Sequence, residues 1–241
     1  MSAAVSYARY LQLDALLASA SPLTADTDPE IRNAERYFIV IHQSSELLVS
    51  QALDDMATAC RIAAADSREL ERVACLLERI ASVLLSLCRL IDQLGAFLPD
   101  TDFLAFRPLL MGASGAESRQ FGELMRIAGG THPDIDRIRV ACAGTGASFA
   151  AIDRRIGLVI ATAQLWQCIH LAVVRRMIGQ RRGTGDTEGA AFLETRVELS
   201  PTLRALIEAV APGIAVGAFP ADAARQIIGH VESDLHELRM R

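Results

Sequence analysis

Aromatic residues make up only 5% of the 241-residue chain, and Val, Thr and Tyr almost never alternate with polar positions, so a β-sheet core is not expected. Basic residues number 24 against 29 acidic ones, a net charge of −5, and are scattered apart from Arg175, Arg176, Arg181 and Arg182. That leaves no basic face of the kind that binds nucleic acid. No apolar run approaches the roughly 20 residues of a membrane-spanning helix. The opening MSAAVSYARYLQLD lacks the basic segment and apolar core of a signal sequence. A soluble, cytoplasmic protein is the expectation. Cys60, Cys75, Cys88, Cys142 and Cys168 are odd in number and include no C-x-x-C pair, which argues against a disulfide framework or a zinc site and for small core residues. Internal repeats, low-complexity tracts and an obvious interdomain linker are also missing.

What the chain does have is 51% hydrophobic residues, enough to bury a substantial core, and a predominance of Ala, Leu, Ile, Arg, Glu and Asp that favours helix throughout. A helix over residues 3–20 is expected, broken by SPLTADTDP. A long second helix follows, with Asp28 as N-cap, Pro29 in the first turn and Glu30 near the positive end of the dipole. It extends to about Ala64, and Phe38, Ile41, His42, Ser45, Val49, Ala52 and Met56 fall on one stripe. A third helix over 67–94 repeats the pattern from Val73 to Ile91, so the two form an antiparallel pair. Further helices are expected over 101–110, where Pro108 must be accepted or end the helix, over 119–128, from Ile135, over 148–180, after Ser200-Pro201, and over 221–241. The fold class is all-α, a single helical bundle domain spanning 1–241.

His42 and His170 each sit in the apolar stripe of a long helix. One such histidine reads most simply as a core residue satisfied by hydrogen bonds. Two of them change the reading, because a neutral imidazole on the inner face of a bundle is a common axial ligand for haem iron. A di-iron site would need Glu-x-x-His on two helices, and neither histidine has a Glu three residues before it. His132, in a Gly/Pro break, and His230 and His236, on a charged helix, read as surface residues. Arg107, a cation among apolar residues in FLAFRPLL, either extends its head outward or clamps a carboxylate, and local sequence favours the first. RRGTGDTEG fits neither a phosphate loop nor a dinucleotide fingerprint. It reads equally as a solvated helix stop and as a mobile loop, with glycine hinges, that closes over a small polar ligand.

Taken together, four segments resemble the tryptophan 2,3-dioxygenase family of haem enzymes. YARYLQLDALLASASPL is similar to the family's N-terminal tyrosine-containing segment, and FIVIHQSSELL to its F-I-I-Q-H-Q-T-S-E-L-W signature. FLAFRPLLMGASG resembles its aromatic-x-x-F-R stretch with the following S-G, and QLWQCIHLAVVRRMIGQRRGTG its Q-L-W-x-x-x-H helix and R-G-T-G loop. The segments occur in the family's order across almost the whole chain. The resemblance implies a b-type haem with His170 as its axial ligand and Trp166 beside it, and His42 as the distal residue that meets the indole N–H. It implies that Arg107 clamps the amino-acid carboxylate, with Thr184 at the ammonium and carboxylate end, and that Phe38 and Phe103 wall the indole pocket. Ser114 and Gly115 would lie beside the haem edge. Tyr7, Tyr10 and Leu11 would reach into a neighbouring subunit, residues 1–25 being exchanged in a homotetramer or dimer.

The activity so implied is haem-dependent cleavage of the indole C2–C3 bond of L-tryptophan or a substituted tryptophan by O2, giving an N-formylkynurenine. Leu48 replaces the signature Trp, Ile41 the Gln before the histidine, and Ala116-Glu117 the F-Q after S-G. Only residues 126–147 fill the place of a larger helical excursion, which marks a shortened member. Alternatives are a haem-dependent monooxygenase of a tryptophan derivative in secondary metabolism, a relative that oxidises the phenol ring of tyrosine, and a non-catalytic haem-binding helical protein.

Overall fold

A computed structural model describes residues 6–65, 69–110, 113–183, 188–213 and 220–240, and within them the regular structure is helical, with no strand. Three long helices form the frame: α3 (Pro29–Ala65), α4 (Leu70–Phe97) and α8 (Ala147–Ile178). Asp28 caps α3 as expected, its Oδ1 accepting the Ile31 N–H at 3.3 Å. α3 buries Ile41, Ser45, Val49, Ala52, Met56, Ala59 and Ala63, one face at helical spacing. α4 answers with Val73, Leu77, Ile80, Leu84 and Leu87, each fully buried. Burying each such side chain contributes about 1.5–3 kcal/mol.

α4 lies between α3 and α8 and packs extensively on both. Its close approach to α8 depends on Gly95, where a Cβ would stand 2.6 Å from Val173 Cγ2. α8 buries apolar residues on nearly every side, from Ile152 through Val159 and Ala163 to Met177. This corrects the sequence expectation about long apolar segments: Ser148–Ile178 is long and apolar enough to cross a membrane, but 83% of its most apolar window is buried inside the protein. A central core helix has the same composition as a membrane span because both are surrounded by apolar partners.

Shorter helices close the frame: α5 (Asp100–Phe106), α6 (Arg119–Ala128), α7 (Pro133–Cys142), α9 (Ala190–Glu194), α10 (Pro201–Val210) and α11 (Ala221–Met240). Pro108 neither breaks the chain nor sits in an α-helix, because residues Arg107–Leu110 switch to a 3-10 turn. A second 3-10 turn, Gly115–Glu117, carries a capping box between Ser114 and Glu117. α10 begins at Pro201 behind the Ser200 cap. α9 was not expected from sequence.

Three expectations need correction. The N-terminal helix is two pieces, α1 (Tyr7–Tyr10) and α2 (Leu13–Ser19), separated where Gln12 takes the left-handed conformation at φ 52°. His132 is buried at 7% exposure, where Nδ1 caps α7 by accepting the Asp134 N–H, whereas His230 and His236 are exposed as expected. Of the cysteines, Cys88, Cys142 and Cys168 are core residues, but Cys60 is only half-buried and Cys75 is exposed.

Candidate active site

His42 lies on the inner face of α3, and its place is set by the helix itself. Nδ1 is 2.8 Å from the carbonyl oxygen of Phe38, one turn earlier. A carbonyl can only accept, so Nδ1 carries the proton. Burial pushes the ring's pKa below its ordinary value, opposed by that hydrogen bond and by the charge of Glu46. The neutral ring therefore keeps an unprotonated Nε2, a hydrogen-bond acceptor.

Around His42 stands an aromatic wall. The Phe38 ring packs on the imidazole at 3.9 Å between centroids, and Phe103 and Phe106 of α5 lie 5.7 and 5.5 Å from Phe38. Phe103 and Phe106 meet edge to face at 5.4 Å. Phe106 is fully buried. Sequence reasoning missed it, although it sits three residues after Phe103, the spacing of one helical face.

His170 approaches from α8. Its ring stacks on Trp166, 4.9 Å between centroids and 7° from parallel, and Phe121 of α6 supports Trp166 from 5.0 Å. Burial, with a smaller contribution from His42, pushes the His170 pKa down to about 4, so the ring is neutral at physiological pH. The smaller contribution comes from the His42 ring on α3, which is near enough to act on His170 electrostatically. Both rings are deep enough to lose their charge and yet keep some accessible surface.

Arg107 is half-buried, and its Nη2 donates to the carbonyl of Arg182, at the start of the Gly-rich loop. Head and loop are thus held together, and the guanidinium does not simply extend into solvent. The loop's return is equally constrained: at Gly189, φ 63°, a Cβ would lie 2.6 Å from the Arg181 carbonyl and 3.2 Å from the Gly183 nitrogen. Gly189 permits a close backbone approach and not hinge freedom. Thr184 lies outside the described residues.

Other candidates are placed less centrally. Ser114 is half-buried and Gly115 exposed in the turn before α6. Tyr7 and Tyr10 are 74% and 76% exposed and Leu11 40%, all at the N-terminus on helices that bury nothing. The Oε2 of Glu46, one turn beyond His42, is buried without a hydrogen-bond partner among the described residues. Its place in the S-E-L motif was the only sequence signal for it.

A family model described as tryptophan 2,3-dioxygenase matches residues 1–135, more than half of the chain and the part that carries α3, α5 and Arg107. The chain belongs to the tryptophan 2,3-dioxygenase family. Proteins named tryptophan 2,3-dioxygenase align with it from Erythrobacter litoralis, at 26% identity over 80% of this chain and 93% of the relative, and from Herpetosiphon aurantiacus, at 25% over 82% and 95%. One from Caulobacter vibrioides is 35% identical over a shorter stretch, 54% of this chain and 46% of the relative. The Erythrobacter alignment is 254 residues long yet takes in only 80% of this chain, so this tryptophan 2,3-dioxygenase family member omits residues that the relative carries.

Tryptophan 2,3-dioxygenases are haem-dependent oxidoreductases, and the donor set of this chain fits that group. Among the described residues there is no cluster of three or more His, Cys, Asp or Glu side chains that could hold a bare metal ion. A porphyrin brings four nitrogens of its own and asks the protein for one neutral imidazole. His170 meets that requirement, being neutral, oriented by Trp166 and free of hydrogen bonds to the described residues.

Proposed function

We propose that the chain is a haem-dependent dioxygenase of L-tryptophan or a substituted tryptophan. The observation that carries this reading is the pair of buried, neutral histidines on α3 and α8, one packed on Phe38 beside Phe103 and Phe106 and the other stacked on Trp166. When bound, the haem supplies the iron that activates O2 for cleavage of the indole C2–C3 bond.

The chain's own residues bind and orient. His170 would hold the haem iron through its imidazole, and Trp166 fixes its ring plane. His42 presents Nε2 as an acceptor to the indole N–H and has no need to remove a proton. Phe38 and Phe103 provide an apolar slot for the indole and exclude water from it. Arg107 pairs with the substrate carboxylate, exchanging its bond to the Arg182 carbonyl for a charge-assisted one, and Thr184 serves the ammonium end. Ser114 and Gly115 would contribute to holding the haem.

The catalytic unit in this reading is one haem-binding domain over residues 1–241 in a soluble homotetramer or dimer. Residues 1–25 cross to a neighbouring copy, where Tyr7, Tyr10 and Leu11 complete the pocket. The exposure of those three side chains and of Leu16, Leu17 and Leu23 supports it, since so many large apolar groups on one short segment favour a partner surface.

Anaerobic reduction of the haem-loaded protein, addition of L-tryptophan and then of 18O2, followed by mass spectrometry, tests the reading. Two labelled atoms in an N-formylkynurenine are expected. A single labelled atom would replace dioxygenation by monooxygenation, and the absence of any product from a series of tryptophans would refute the substrate class.

A further inference from the structure

The segment that leads from the N-terminal helices into α3 is fastened with unusual completeness. Glu35 is 1% exposed, and both of its oxygens serve two consecutive residues: Oε1 accepts the Leu23 N–H at 2.8 Å, while Oε2 accepts the Thr24 N–H at 2.7 Å and the Thr24 hydroxyl at 2.5 Å. Arg32 closes the other side, donating to the carbonyls of Pro22 at 3.3 Å and Thr24 at 2.5 Å. Burial by itself would raise the Glu35 pKa, yet the hydrogen bonds from Thr24 and Leu23, with the charge of Arg32, bring it below the ordinary carboxylate value. A third tie comes from Gln43, whose amide donates to the Ser19 carbonyl at the end of α2, at 3.0 Å.

Everything on the N-terminal side of this clamp is loose by comparison. α1 and α2 pack on each other and bury no side chain. A root held by the five hydrogen bonds of Glu35 and Arg32 carries an arm tied to α3 only through the Ser19 backbone carbonyl at the end of α2 and held by none of its side chains. The location of the root matters as well. Glu35 and His42 are seven residues apart, two turns on one face of α3, or about 10 Å along the axis. Phe38 lies between them on that face, and Gln43 follows His42 directly.

We infer that Glu35 is a positioning residue for substrate binding: by clamping residues 22–24 to the face of α3 that bears Phe38 and His42, it fixes the direction in which the arm with Tyr7 and Tyr10 leaves the body. The inference rests on the reading that this arm completes the pocket of a second copy. A flexible root would leave the same tyrosines tethered but unaimed, and ordering them would be charged to each binding event. The clamp settles that cost at folding, so its effect belongs in substrate affinity and not in the chemical step.

The test uses full-length, haem-loaded protein in three variants: Glu35→Gln, which keeps the volume and loses an acceptor, Thr24→Val, which removes the hydroxyl from the other side, and Tyr10→Ala in the arm. Steady-state kinetics with L-tryptophan, light scattering and thermal denaturation are measured on each. For Glu35→Gln, KM is expected to rise by on the order of tenfold, the equivalent of one or two hydrogen bonds to a charged group, with kcat and Soret absorbance retained. Thr24→Val should move KM in the same direction by less. A fall in melting temperature with KM unchanged in both clamp variants would reduce the clamp to a stabilising staple and overturn the inference. If Glu35→Gln does not fold, an unchanged KM in Thr24→Val has the same force. Should Tyr10→Ala leave KM and mass unchanged, the exchanged-arm reading fails and takes the inference with it. A raised KM in Tyr10→Ala alone would keep the arm and discard the clamp.

Discussion

The two buried, neutral histidines, His42 and His170, are held by opposite means. His42 is fixed by a hydrogen bond: its Nδ1 proton is committed to the Phe38 carbonyl, and Phe38 packs on its face. His170 is fixed by packing, stacked on Trp166 with Phe121 behind, and makes no hydrogen bond to the described residues. The difference suits two tasks. A ring that must present one acceptor needs its tautomer set, and a backbone carbonyl one turn away sets it. In the proposed reading, a ring that gives a lone pair to a metal has to be oriented and unprotonated, which stacking and burial supply. Glu46 reinforces the contrast, since its carboxylate favours a proton on His42 while His42 itself disfavours one on His170.

Removing each ring in turn is the strongest way to break this comparison. His170→Ala should abolish haem retention, read as loss of the Soret band after haem supply and gel filtration. His42→Ala should keep the haem and lower kcat/KM by a factor of about 10 to 100, the equivalent of one buried hydrogen bond. Equal haem loss in both variants would erase the distinction between ligand and orienting residue. A smaller and more selective effect is expected at the rim. Arg107→Ala should raise KM by the equivalent of about 2 to 4 kcal/mol, because a charge-assisted pair with the substrate carboxylate is lost. An unchanged KM would leave Arg107 as a brace for the Gly-rich loop alone.

The smallest effect belongs to a buried histidine outside that pair, His132. Burial lowers the pKa of His132 below 6.5, against the pull of Asp134 and Glu123, so below that pH the unfolded chain binds more protons than the native one. Its contribution to stability is present above 6.5 and is lost as the pH falls through and below that value. Protonation also removes the acceptor that caps α7. His132→Asn keeps a capping acceptor that does not titrate, so its denaturation midpoint should change less between neutral and mildly acidic buffer than that of the parent. Identical pH profiles would show that this histidine is not coupled to folding.

Much of the frame was legible in the sequence. The stripes from Phe38 to Met56 and from Val73 to Ile91 became the faces of α3 and α4, and the Asp28-Pro29 start lies where capping rules put it. The histidine pair, Phe38, Phe103 and Trp166 were singled out in the sequence as well, and the structure packs His42 with Phe38 and Phe103 and stacks His170 on Trp166. Other features depended on contacts remote in sequence. Arg107 read locally as an outward-reaching cation because nothing nearby shows that a carbonyl 75 positions later receives its head. Gly189 read as a hinge because the backbone it must admit belongs to residues 181 and 183. His132 read as a surface residue because a Gly/Pro break normally is one, and here the neighbouring helices cover it.

By itself, the sequence determined the long helices, their apolar faces and the residue types available for chemistry, since helical periodicity and capping are properties of a few neighbouring positions. It also carried the family, through motifs spread along the chain. The free nitrogen of His42 follows from a carbonyl one turn earlier in its own helix, whereas only the tertiary structure decided which ring loses its affinity for protons, where the Arg107 head goes and how Glu35 holds the root of the arm. Those outcomes depend on burial and on partners brought from distant segments, and neither is written in any local stretch of residues.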